Sequence, residues 1–141
     1  MYRWCLIFVA LTASAEVPSA VLAELDLQKR SEVALQEADE QISAAVQAYS
    51  KGPDLRTFEQ HVVNTGELVE LSLKSLQDSG KRASRSPKYF KRAELKLRAL
   101  LRRLDTLEKE VSMDDRAAVE KVKTLVSNSH DQILDDIMAK R

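Results

Sequence analysis

Between Gly80 and Arg103 ten cationic side chains (Lys81, Arg82, Arg85, Lys88, Lys91, Arg92, Lys96, Arg98, Arg102 and Arg103) stand against one acid, Glu94. That density suits an anion: guanidinium groups make forked, charge-assisted hydrogen bonds to phosphate or carboxylate, and ammonium groups act as point charges. With the stripe from Phe90 to Leu107 turned inward, helical spacing puts Lys88, Lys91, Arg92, Arg98 and Arg102 on the outer face, with Leu95 among them. Lys81, Arg82 and Arg85 extend the field into the preceding loop, and the helix start adds amide donors and partial positive charge. Phosphate, an anionic lipid headgroup, an acidic glycan and an acidic protein all fit such a face. The competing reading is a solvated helix face paired to an acidic neighbour within the fold, because residues 16–50 carry seven acids against two bases. Nucleic acid fits poorly, since stacking aromatics are scarce and the chain reads as exported.

Other chemistry is sparse. His61 and His130 are the only imidazoles, which excludes a histidine-rich metal site. Di-iron bundles use Glu-x-x-His on facing helices, whereas Phe58 stands three before His61 and Ser127 three before His130. A metal or haem carrier, drawing on Met113, Met138 or Asp131, is only a third reading, and no metal or other cofactor is predicted. His130 sits at the edge of an apolar stripe, the usual place of a hydrogen-bonded structural histidine. The pairs Asp114-Asp115 and Asp135-Asp136 are adjacent, so their carboxylates point in different directions around a helix. No Gly-rich phosphate loop, G-x-S-x-G elbow or Ser/His/Asp arrangement is present, and catalysis is not expected.

The elements that must position these residues begin with MYRWCLIFVALTASA. Arg3, the apolar run Trp4 to Leu11, and small residues at Ala13 and Ala15 make a signal-peptide pattern over residues 1–15. The run is too short to cross a bilayer core of roughly 30 Å. Cleavage before Glu16 and export to the periplasm or beyond are therefore expected. The one cysteine, Cys5, would leave with the leader, and it lacks the small-residue run of a lipoprotein anchor. No later segment approaches spanning length, so a soluble mature chain of one domain is expected.

Ala, Leu, Glu, Lys and Arg dominate the remainder, a helix-forming composition. Breaks at Lys51-Gly52-Pro53, at Ser79 to Pro87 and near Ser112 divide it into helices at about 19–50, 54–79, 87–111 and 113–138. Gly52 suits a left-handed helix end, Pro53 a stop and Asp54 a cap; Gly80 closes the second helix, and Ser86-Pro87 opens the third. Ser112 with Asp114 and Asp115 reads as a cap for the fourth.

Steps of three and four run through Leu35, Ala38, Ile42, Ala45 and Tyr49, and through Leu55, Phe58, Val62, Thr65, Val69, Ser72 and Leu76. They recur through Phe90, Ala93, Leu97, Leu100, Leu104, Leu107 and Val111, and through Val119, Val122, Val126, Ser129, Ile133 and Ile137. Four such seams predict an all-α fold, an antiparallel four-helix bundle with coiled-coil-like packing. Leu68 and Leu71 fall off the second seam toward its outer face, with Val63 on the other side. They mark a contact for a bulky neighbouring helix, a homodimer partner or a client protein, or else wider burial within the same bundle.

The stretch RSPKYFKRAELKLRALLRRLDTLEKEVSMDDR resembles short, exported bacterial helical proteins, loosely from Glu24 to Ile137 and most sharply from Arg85 to Arg103. The resemblance implies a signal peptide and an all-helical fold, and brings no catalytic or binding residues with it. Exported stress-adaptor bundles share only the architecture, since their L-T-x-x-Q elements are absent from the mature chain. The reading that follows is an exported, non-enzymatic binding module whose face over residues 81–103 meets an anionic surface or acidic protein. The alternative is a structural or assembly protein acting through the second helix.

Overall fold

A computed structural model describes residues 17–52 and 54–139. The signal-peptide expectation for residues 1–15, with Cys5, and the stop expected at Pro53 lie outside the described residues. Five α-helices follow in order: α1 (Ser19–Ala23), α2 (Leu27–Ser50), α3 (Leu55–Asp78), α4 (Pro87–Glu110) and, after a 3-10 turn at Met113–Asp115, α5 (Arg116–Met138). The described residues hold no strand, and the four long helices pack against one another. No helix among them is long and apolar enough to cross a membrane.

The first helix does not run unbroken from 19 to 50 as its composition predicts. Asp26 accepts hydrogen bonds from the Gln28 and Lys29 amides at 3.0 and 3.2 Å and so starts α2 afresh. Arg30 donates to the carbonyls of Glu24 (2.8 Å) and Leu22 (3.2 Å), satisfying acceptors left where α1 ends. These side chains make a corner without glycine or proline. α1 becomes a short strap that buries Val21 and leaves Leu25 87% exposed.

The other turns use the expected residues. Gly52 and Gly80 take positive φ (115° and 74°), and Asp54 caps α3 through the Thr57 amide (3.1 Å) and hydroxyl (2.6 Å). Pro87 opens α4, although the Ser86 side chain makes no capping bond. At the α4–α5 turn Ser112 donates to the Asp115 carboxylate (2.7 Å), and α5 proper begins at Arg116. The Tyr49 hydroxyl donates to Asp115 (3.1 Å) and accepts from the Ser112 amide (2.9 Å), which pins this turn to the end of α2.

The seams form one core running from Val21 to Ile133, within the described residues. Hydroxyls inside it are satisfied locally: Ser72 donates to the Ser31 carbonyl (3.0 Å), its oxygen also meets the Ser31 hydroxyl (2.8 Å), and Thr65 donates to the His61 carbonyl (2.9 Å). Burying a hydroxyl with its partner avoids the cost of an unpaired polar group.

Residue pairings give the helix arrangement. Ser31 meets Ser72 and Gln41 meets His61 between α2 and α3; Glu94 meets His130 and Asp105 meets Lys123 between α4 and α5. In both pairs one number rises as the other falls. Between the pairs the numbers rise together: Glu32 meets Arg92 and Asp39 meets Arg103 on α2 and α4. On α3 and α5, Gly66 lies beside Val122, and Gln77 shares a groove with Asp136. Two hairpins therefore stack with like-directed helices side by side, which differs from a bundle in which every neighbour is opposed. The connection over 79–86 is long enough to carry the chain across the bundle. α1, the start of α2, the end of α3, the 79–86 loop, the start of α4 and the end of α5 thus share one end, called here the loop end.

Candidate functional site

The basic run does not form one surface. Three of its arginines turn toward acids of the bundle itself. Arg92 pairs with Glu32 of α2 at 3.3 Å. Arg98 reaches back one turn to Glu94, through Nη2 and, at 3.0 Å, through Nε. Arg103 crosses to α2, donating to the Asp39 carbonyl (2.8 Å), the Asp39 carboxylate (2.6 Å) and the Ser43 hydroxyl (2.8 Å). The intramolecular pairing weighed from the sequence therefore accounts for this part of the run.

The rest is unneutralised. Among the described residues no carboxylate lies within ion-pair distance of Lys81, Arg82, Arg85, Lys88, Lys91, Lys96 or Arg102. The first five occupy the loop end, on the 79–86 connection and the first turns of α4. Arg102 stands apart, about 21 Å further along α4 from Lys88 at 1.5 Å per residue, beside a groove lined by Ile42, Val46, Arg103 and Thr106. Lys81 and Lys88 place their ammonium groups 5.1 and 4.9 Å from the centroid of the Tyr89 ring. The ring's negative face favours a cation at that range, so two like charges converge on one aromatic. A shallow groove of about 280 Å³ opens beside them, lined by Gln77, Lys81, Arg82, Ser84, Phe90 and Asp136 among others. The uncapped start of α4 adds its partial positive charge to the same region. Glu24, Asp26, Asp78, Asp135 and Asp136 also stand toward this end, but none of them is within ion-pair distance of these five cations.

Glu94, the one acid of the run, is 5% exposed. His130 Nε2 lies 2.9 Å from its Oε1, and Asp131 lies 3.5 Å from the other ring nitrogen. Burial pushes the Glu94 carboxyl up, but hydrogen bonds from His130 and Arg98, with the Arg98 charge, outweigh it and hold the group below its ordinary value. His130 is thus a hydrogen-bonded histidine at the stripe's edge. His61 is held by Gln41, whose Oε1 lies 2.7 Å from Nδ1 and also accepts from Asn64. Among the described residues no group of three or more His, Cys, Asp or Glu side chains could hold a metal ion.

The outer-face position expected for Leu68 is corrected: the side chain is fully buried in the core. Leu71 is half-buried and shares a surface groove with Val17 and Leu22 of the N-terminal strap. Wider burial within the bundle, with the strap laid beside α3, accounts for this apolar surplus. The sequence reading missed Tyr89 as a focus of two lysines and Arg103 as a clamp. The first had half a signal in the adjacent Lys88, with Lys81 brought to the ring by the 79–86 loop, whereas the second depends on α2 lying beside α4. No family model matches the chain, and no curated protein or solved structure matches it either.

Proposed function

We propose that this is an exported, non-enzymatic helical-bundle binding module that engages an anionic partner through its loop end. The observation carrying the reading is a division of labour within one basic run. Arg92, Arg98 and Arg103 are consumed by acids of the bundle, while Lys81, Arg82, Arg85, Lys88 and Lys91 gather at one end with no carboxylate in ion-pair distance among the described residues. Like charges held together repel one another, and a bound anion relieves that repulsion. The site narrows the sequence expectation from a face over residues 81–103 to the segment 81–91. Arg98, paired to Glu94, and Arg102, far along α4, fall outside it. Assembly through the second helix loses its main support with Leu68 buried.

The test is titration of residues 16–141, which contain every core residue among the described ones, with heparin as an anionic probe. Two variants serve as comparison: Lys81→Glu/Arg82→Glu/Arg85→Glu, and Arg92→Gln/Arg98→Gln. The reading expects the first variant to lose binding and the second to keep most of it. Equal loss in both, or loss only in the second, overturns the assignment to the loop end.

A further inference from the structure

The loop end carries more than charge. Leu25, at the corner between α1 and α2, is 87% exposed, and Met138, at the close of α5, is 68% exposed. Both stand on the end of the bundle that carries Lys81, Arg82, Arg85 and Lys88. Tyr89 is half-buried there, with the Lys81 and Lys88 ammonium groups near its ring.

Resting on the reading above, we infer that the loop end docks on an anionic lipid bilayer, with the cations at the headgroups and Leu25 and Met138 entering the interface. Several features favour a bilayer over a single acidic protein. Lys81, Arg82, Arg85 and Lys88 are spread over a loop and a helix start and are not fixed by ion pairs among the described residues, which suits a fluid array of headgroups rather than one rigid set of carboxylates. The adjoining groove is shallow, so it offers no deep slot for an anchoring side chain. Protruding aliphatic side chains beside lysine, with an amphipathic tyrosine, make the mixture that partitions into a membrane interface. The bundle's long axis would then stand away from the surface, leaving the far turns free.

The experiment is co-sedimentation of residues 16–141 with vesicles of phosphatidylcholine alone and with a phosphatidylglycerol admixture, at low and moderate salt. The Lys81→Glu/Arg82→Glu/Arg85→Glu and Leu25→Ser/Met138→Ser variants are run in parallel, with circular dichroism checking that each stays helical. At about 1 kcal/mol for each basic residue near an anionic surface, removing three attractions weakens binding about a hundredfold, and reversing them weakens it further. The apolar variant is expected to bind about tenfold more weakly. Binding that needs phosphatidylglycerol, fades with salt and falls in both variants supports the inference. Equal binding to neutral vesicles overturns it. So does displacement by millimolar inorganic phosphate, which would mark a small-anion site. Retained heparin binding without vesicle binding overturns the bilayer and leaves a soluble acidic partner for the same end. Loss of both overturns the anion-binding reading as well.

Discussion

Arg103 on α4 binds Asp39 on α2 through both its carboxylate (2.6 Å) and its backbone carbonyl (2.8 Å), stapling one hairpin to the other. The contact explains why an arginine from a strongly basic run is not part of the free cationic surface. The pair is part-exposed, so its net contribution is modest despite good geometry. Arg103→Ala is expected to lower stability by about 1 kcal/mol, read from the urea midpoint, and to leave heparin binding nearly unchanged. A large loss of binding with stability intact would return Arg103 to the anion surface.

Acid should loosen the α4–α5 contact through Glu94. Its folded carboxyl lies below the ordinary value of 4.5. A depressed carboxyl contributes stability that is present above that value and is lost as pH falls through the lower, folded one. Wild-type stability should therefore fall with acidification below about pH 4.5 more steeply than that of Glu94→Gln. At neutral pH the substitution itself should cost about 1–3 kcal/mol. Urea midpoints across this window, compared between the two proteins, decide it; parallel curves would contradict the assignment.

Leu68 and Leu71 should behave as unlike residues despite lying within one turn. Leu68→Ala opens a cavity at a fully buried position and should cost about 2–5 kcal/mol. Leu71→Ala, at a half-buried groove position, should cost about 1 kcal/mol or less. Equal small costs would put Leu68 back on the surface.

Two glycines should respond with opposite signs. Gly66 lies within α3, and an added Cβ would meet the Val122 methyl at 3.5 Å, an ordinary contact. Gly66→Ala should therefore stabilise by up to about 1 kcal/mol through helix propensity. Gly52 has φ +115° and open space around it, so Gly52→Ala should destabilise by about 1 kcal/mol from backbone strain alone. Thermal midpoints of the two variants read both effects.

The leader proposal has its own check. When the full chain is expressed in a bacterium, intact-mass analysis of the exported product should give an N-terminus at Glu16. A product retaining residues 1–15 would contradict export by cleavage.

The helix seams were legible because steps of three and four persist from Phe90 to Val111 and in the other three stripes, and nearly every member is buried. Helix ends announced by Gly52, Asp54, Gly80 and Pro87 were legible for the same reason: each has a local chemical role. The corner at Leu25 was not. It depends on Arg30 reaching back to two carbonyls and on Asp26 capping forward, both from residues ordinary in a helix. Nor could the seams show that α2 lies beside α4, since an apolar stripe fits any neighbour. That hidden adjacency decided which arginines of the basic run are neutralised, and so where the free cations remain.

The most direct measurement is amide chemical-shift mapping of residues 16–141 titrated with heparin at low salt, then at moderate salt. The account predicts that shifts cluster at Lys81 to Lys91 and shrink as salt rises. Shifts confined to the Arg92–Arg103 flank, or spread evenly over the bundle, would contradict it.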